Sequence, residues 1–463
     1  MRSEAPPNQF GHRAGHPRYT ADHRPKQGVY GVPPGNLRHD MSAKCDIPHG
    51  GLAMGRHVPL RIMGAIVAVS ATLVMAGCTG AKPTVASAGG RNGAAATAEM
   101  PLPDIKIVPA MNAKSVAISS EISASVTNGA IRSVTLVSAA GTQIAGSMRA
   151  DGSSWVPDVP LEYGQSYTAQ VTAVGAQGQA KVDTVSFTTM RKPATRPIQV
   201  YANIVDGQTY GVGMPIVIDF GTAIPQALRA AVESRLFVSS SPAQVGAWRW
   251  YSATEVMYRP RSYWKPGTTL SVRAAVAGIP IGNRVIAKDV TAAASIGRDM
   301  QFTVTNADHS LTITSNGKVL HRYPISMGKP STPSWSGHFV IMERDYYTVF
   351  DTLDEGPGGY RVGVNFAERL TWSGTFLHSA PWSVYAQGSF NVSHGCVNIG
   401  PSNARWIYYN SLVGDPVTIS GTPRHAAAGN GWTVWDMSWA DYVRDAVIPP
   451  TLTLPSVLVP SAD

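Results

Sequence analysis

Tyr167-Thr168-Ala169-Gln170-Val171-Thr172-Ala173-Val174 alternates core-type and polar residues with a period of two. Such a run predicts a strand with one face buried and the other wet. Working outward, Ser133-Val134-Thr135-Leu136-Val137 and Thr184-Val185-Ser186-Phe187 flank it, and Ser115-Val116-Ala117-Ile118 precedes them. Short strands at this density, separated by Gly, Asn and Asp, predict a mainly β chain with an immunoglobulin-like β-sandwich over residues 104–192. Lys192-Pro193-Ala194-Thr195-Arg196-Pro197 reads as a linker into a second such sandwich, 196–306. That unit holds Pro215-Ile216-Val217-Ile218-Asp219-Phe220, a helical stretch from Pro225 to Arg235, and the aromatic strand Ala247-Trp248-Arg249-Trp250-Tyr251. Its aromatics suit a packed core better than a glycan groove.

A third β-rich unit covers 307–421. Asn316-Gly317 predicts a tight hairpin turn, and Ser402 to Leu412 predicts a helix with Ser402 as its N-cap. Residues 422–448 (including Asn430-Gly431-Trp432-Thr433-Val434-Trp435) form a small aromatic, helical-period subdomain expected to pack on the third unit. The Pro-rich tail 449–463 is expected to be extended or mobile.

The chain has 463 residues, 14% charged and 44% hydrophobic, which excludes a disordered protein and implies several domains. Net charge is +9, but residues 1–77 carry nine basic against four acidic residues and account for more than half of it. No basic stripe remains to neutralise a phosphate backbone, so no nucleic-acid partner is expected.

Residues 1–53, rich in Pro, His, Gly and Arg, read as a disordered leader, and Met54 is the more ordinary start of an export signal. Residues 54–77 form that signal: the apolar run Ile62–Gly77 follows Arg56 and Arg61 and is shorter than the ~20 residues of a membrane helix. Met75-Ala76-Gly77-Cys78 resembles the lipobox of bacterial lipoproteins. The resemblance implies lipidation of Cys78, a flexible stalk over 78–103, and an exported protein anchored at the outer face of the plasma membrane, in the cell-wall space. Ordinary cleavage near Ala76 is the alternative. Of three cysteines, Cys45 would leave with the leader and Cys78 would carry lipid. Cys396 then stands alone in an oxidising compartment, which points to reactivity rather than to a disulfide.

Two of the six histidines after Cys78 lie close to Cys396: His378-Ser379-Ala380-Pro381-Trp382, then Asn391-Val392-Ser393-His394-Gly395-Cys396-Val397-Asn398. A thiol becomes a strong nucleophile when an imidazole takes its proton, with its pKa depressed. Spacing alone leaves either histidine as the base. Gly395 permits close backbone approach, and its N–H with that of Cys396 could serve a developing oxyanion. One thiol and two histidines fall short of the four ligands of structural zinc, so no metal and no cofactor is expected. A buried inert cysteine is the remaining alternative.

His378 followed by Ser393-His394-Gly395-Cys396-Val397-Asn398 resembles the motif of the L,D-transpeptidases of bacterial peptidoglycan. Ser326-Met327-Gly328-Lys329, Gly359-Tyr360-Arg361 and Tyr263-Trp264-Lys265-Pro266-Gly267-Thr268 resemble mycobacterial members, over about residues 105–446. The resemblance implies Cys396 as nucleophile, His378 as base, and the Ser379 carbonyl as the group that orients it. It places His394 and Gly395 in the catalytic loop, with Tyr360, Ser393, Asn398 and Trp382 on the substrate side. It also implies a mobile lid over residues 343–372. The implied reaction joins peptidoglycan tetrapeptide stems, as donor and acceptor, in 3→3 cross-links through a thioester, with carbapenem β-lactams as inhibitors. An L,D-carboxypeptidase that uses water as acceptor, and a non-catalytic lipid-anchored wall-binding protein, are the alternatives.

Overall fold

The computed structural model describes residues 101–149, 152–353 and 359–453. The export signal, Cys78, most of the stalk and the end of the tail lie outside the described residues.

Tyr167–Val174 falls within the strand Ser166–Val174, with Tyr167, Ala169, Val171 and Ala173 buried as the alternation requires. It is the central strand of a five-stranded sheet, paired antiparallel with Ala180–Thr189 and Ala130–Ser138. A four-stranded sheet built from Asp104–Val108, Ile122–Thr127, Ser154–Pro157 and Gly146–Met148 is the second layer. Ile122, Leu136, Trp155, Tyr167 and Phe187 fill the space between them. The second unit is again two sheets, with the helix Gln226–Glu233 where the sequence placed one. Trp248, Tyr258 and Trp264 are buried in its core, so the core reading of these aromatics holds.

Two C-terminal segments depart from expectation. Within 422–448 only Trp439–Arg444 is α-helical, started by Ser438, whose side chain accepts from the Asp441 N–H. This segment packs on both units: Arg424–His425 pairs with Trp335–Ser336 of the third, where Asp436 also accepts from the His338 N–H at 2.8 Å, while Tyr442 is fully buried against the second, its hydroxyl donating to the Met257 carbonyl at 2.8 Å. The Arg259 guanidinium is the reason for the second contact. It lies 4.7, 5.2 and 4.4 Å from the ring centres of Trp435, Trp439 and Tyr442, a cation–aromatic cluster that draws the segment to that sandwich. Thr451–Leu452 of the tail is extended and docked, paired with Val245–Gly246 at a sheet edge.

The third unit is one ten-stranded sheet. Its strands are β1 Met300–Thr305, β2 Ser310–Ser315, β3 Lys318–Ser326, β4 Trp335–Val340, β5 Glu343–Asp351, β6 Arg361–Arg369, β7 Phe376–Ser379, β8 Val397–Ile399, β9 Pro416–Ser420 and β10 Arg424–His425. The order is β5-β6-β7-β8-β3-β2-β1-β9-β4-β10. β1, expected at the end of the second sandwich, is paired here between β2 and β9. Asn316 and Gly317 turn the β2–β3 hairpin with φ of 49° and 74°, both positive, as that pair of residues favours. Helix α1, Pro401–Asn410, is capped two residues earlier than expected: Gly400 rather than Ser402 is its N-cap, and Pro401 opens the first turn, where a missing N–H costs nothing. Ala404 and Ile407 of α1 join Leu377, Val397 and Ile399 in the core.

Candidate active site

β7 and β8 run parallel, with Leu377 opposite Val397, His378 opposite Asn398 and Ser379 opposite Ile399. Alternation sends Leu377, Val397 and Ile399 into the core beside α1. His378, Asn398 and, one residue before β8, Cys396 therefore fall on the other face. There Cys396 packs with Val364, Ala367 and Phe376, with 8% of its surface exposed. Phe350, from β5, sets its ring edge-on to His378 at 5.2 Å. The segment expected as a lid is thus the β5–β6 hairpin, and it roofs the site.

His378 is buried, and its Nδ1 lies 3.0 Å from the Ser379 carbonyl oxygen. A carbonyl only accepts, so Nδ1 carries the proton and Nε2 keeps its lone pair as the base. Burial pushes the His378 pKa down to about 4, against opposing help from Ser379 and a side-chain hydrogen bond with Asn398. Asn398 is held in turn, donating from Nδ2 to Ser383 Oγ at 2.9 Å. Ser383 Oγ donates to the Ala380 carbonyl at 3.2 Å.

Burial pushes the Cys396 thiol up to about 11, with a backbone bond from Phe376 and the Arg369 charge opposing it. Sγ donates to the Gly374 carbonyl oxygen at 3.4 Å, a contact that favours the protonated form. Both shifts favour the uncharged thiol and the uncharged imidazole. Burial thus acts against the thiol pKa depression expected from an imidazole neighbour, because a dry site disfavours each ion, and mutual attraction in a thiolate–imidazolium pair would offset only part of that cost.

The loop before Cys396 is held from within. Gly395 has φ of 130°, a region other residues rarely adopt, and a β-carbon there would meet nothing within 4 Å. The glycine is required by conformation rather than by space. Its N–H donates to Ser393 Oγ at 3.1 Å, and that hydroxyl donates to the Cys396 carbonyl at 2.6 Å. The Gly395 N–H is thus engaged rather than aimed at an oxyanion, and the Ser393 hydroxyl braces the loop instead of facing substrate. Ser393 is tied further to β3, its N–H donating to the Met327 carbonyl and its carbonyl accepting from the Lys329 N–H, both at 2.9 Å.

His394 is exposed and turns away from the role of His378. Its Nε2 lies 3.1 Å from Lys329 Nζ, and its ring is 4.9 Å from that of Tyr360. Tyr360 closes the β5–β6 hairpin, its N–H donating to Thr352 Oγ1 at 3.0 Å. Trp382 is half exposed, 6.0 Å from the His378 ring. Gly374, Phe350 and the side-chain link through Ser383 were not legible as site residues, since each acts through a tertiary contact with no local pattern.

A buried thiol and an oriented imidazole on one face of a sheet, under a hairpin, suit acyl transfer through a cysteine. The bacterial Ig domain family matches residues 113–280, and the L,D-transpeptidase catalytic domain family matches residues 300–419. The chain is 34% identical over 349 residues to L,D-transpeptidase 2 of Mycobacterium tuberculosis, covering 74% of this chain and 84% of that one. It is 30% identical to L,D-transpeptidase 5 of the same species, covering 77% and 80%. The solved structure of L,D-transpeptidase 3 from M. tuberculosis, in complex with a faropenem-derived adduct, is 27% identical over 48% of this chain and 97% of that one, with a TM-score of 0.41. The chain belongs to the L,D-transpeptidase family, and it is an acyltransferase with a cysteine nucleophile.

Proposed function

We propose that the protein forms 3→3 cross-links between peptidoglycan tetrapeptide stems. Cys396 Sγ attacks the carbonyl that joins the L-centre of meso-diaminopimelate to the terminal D-Ala. The thiol proton passes to His378 Nε2 and on to the departing D-Ala nitrogen as the C–N bond breaks, leaving a thioester. The side-chain amine of a second stem then attacks the thioester and frees the thiol. The observation that supports this most is the His378 Nδ1 bond to Ser379, which leaves Nε2 as the acceptor on the face shared with Cys396. The strained lactam of a carbapenem offers the same kind of electrophile, so these drugs are proposed as acylating inhibitors.

Intact-mass analysis tests the reading. The wild-type protein should gain the acyl mass of a tetrapeptide donor or a carbapenem, and Cys396→Ala should gain neither. Product analysis with and without an acceptor stem separates cross-linking from carboxypeptidase action; free tripeptide alone, with acceptor present, would favour the latter. Wall binding retained by Cys396→Ala, with no turnover by the wild type, would favour a binding protein.

The lipobox-like sequence supports a membrane anchor at Cys78. Cys78→Ala should release a soluble or unprocessed protein, and a normally processed, membrane-bound variant would refute the anchor.

A further inference from the structure

Lys329 stands at the entrance to the site by construction rather than by chance. Its N–H donates to the Ser393 carbonyl at 2.9 Å, and Gly328 bridges Ser393 in parallel register, so the lysine is carried by the backbone that braces the Cys396 loop. Thr332 Oγ1 adds a bond to the same carbonyl at 3.2 Å. The side chain then returns toward His394, with Nζ 3.1 Å from Nε2. An ammonium has no acceptor, so it donates to Nε2, and His394 is neutral with its proton on Nδ1. The Lys329 charge and partial burial both hold the His394 pKa below its ordinary value. Lys329 has two further N–H donors and no carboxylate partner among the described residues. A partly buried cation with directed donors, tied by its backbone to Ser393 of the nucleophile's own loop, suits an anion presented next to the scissile bond.

We infer that Lys329, steadied by His394, binds the terminal carboxylate of the donor stem, the carboxylate of the departing D-Ala. This rests on the acyl-transfer reading above. That carboxylate sits one Cα beyond the scissile nitrogen, so a cation flanking Cys396 can hold it while Sγ meets the carbonyl carbon. Charge-assisted bonds of this kind are stronger than neutral ones and directional enough to set which end of a stem enters. Donor and acceptor would then be told apart by where a carboxylate lies relative to the attacked atom.

The test compares wild type, Lys329→Met and Lys329→Arg on three synthetic tetrapeptide donors: one with a free D-Ala carboxylate, one ending in D-alaninamide, and one amidated only at the diaminopimelate carboxylate. Lys329→Met should raise KM and lower kcat/KM by on the order of tenfold on the free-acid donor. Its loss should shrink to about twofold or less on the D-alaninamide donor, while Lys329→Arg should restore most of the free-acid rate. A loss of equal size on all three donors would mark Lys329 as a brace of the loop and overturn the inference. So would a loss abolished by amidation of diaminopimelate rather than D-Ala. If the wild type acylates with none of the three donors, the acyl-transfer reading itself fails and this inference falls with it.

Discussion

At the scale of single residues, the site depends on which nitrogen of which histidine carries a proton. His378 is buried with Nδ1 bonded to Ser379, whereas His394 is exposed and spends Nε2 on Lys329. Replacing His378 by Gln should lower the acylation rate of Cys396 by about 10²–10⁴-fold, the usual worth of a positioned general base. Replacing His394 by Ala should leave the pH profile of Cys396 alkylation unchanged, because that imidazole does not face the thiol. In the wild type, alkylation by iodoacetamide should climb through the alkaline range, since burial holds the thiol pKa at about 11. A plateau near neutral pH would show a thiolate–imidazolium pair and refute the neutral resting state. Gly395→Ala should lower stability by about 1–3 kcal/mol, the cost of forcing a β-carbon into that backbone region. It should also slow acylation while the protein stays folded, as circular dichroism and intact mass would report together.

At the scale of elements, the β5–β6 hairpin combines a roof over the site with an ill-satisfied base. Glu368 on β6 is fully buried, and neither carboxyl oxygen has a hydrogen-bond partner. Desolvation raises its pKa well above the ordinary value, while Arg344 across the strand pair opposes the shift. In the folded protein the carboxyl stays protonated to a higher pH than in the unfolded chain. It therefore carries no penalty below the ordinary carboxylate pKa and destabilises the fold increasingly as pH rises above it. Glu368→Gln should melt at nearly the wild-type temperature at pH 4. Its advantage should grow with pH, by at most about 1.4 kcal/mol per unit. A pH-independent difference in thermal melts would show that Glu368 is ionised in the fold. The hairpin itself was not legible as two strands. Along β5 exposed and half-buried residues mix (Tyr346 and Tyr347 are both exposed), so no clean period of two survives. The core-facing runs Phe376–Ser379 and Ser166–Val174 were legible, because one of their faces is buried against protein throughout.

At the scale of the whole molecule, the two sandwiches are linked by polar contacts and a small apolar cluster of Val156, Phe237 and Ala275, at a distance from the thiol. Arg149 Nη2 donates to the Ser234 carbonyl at 2.7 Å, Arg273 Nη2 donates to the Pro157 carbonyl at 2.8 Å, and Arg235 donates to the Ser119 carbonyl. The second sandwich, in contrast, shares its core with the third unit through Val340 and Met342, and buried Asp415 pairs with Arg298 at 3.1 Å. A chain beginning near Arg196 should accordingly keep its acylation rate within about twofold and melt at a lower temperature, since Arg235 and Arg273 lose carbonyl partners. Removing residues 447–463 should cost stability in the second sandwich: Ile448 N–H bonds Glu233 at 3.1 Å, and Thr453 Oγ1 lies 2.6 Å from Ser240 Oγ. A truncated protein with unchanged melting would show that this docked strand is dispensable.

By itself the sequence determined the β architecture, the order of its units, and the nearness of Cys396 to two histidines along the chain, because each of these is written in local periodicity or local chemistry. The sequence read Gly395 as a site of close backbone approach, and only the structure showed that its φ of 130° is what calls for glycine. Tertiary structure alone decided which histidine shares the buried face of Cys396, since that follows from the register of β7 beside β8, with a carbonyl within reach of Nδ1. It likewise decided how dry the pair is, because desolvation depends on Phe350, Phe376, Val364 and Ala367 arriving from distant segments. The docking of Trp435–Tyr442 on the second sandwich was also beyond reach, as a single buried arginine among three aromatic rings has no signature until the fold has formed it.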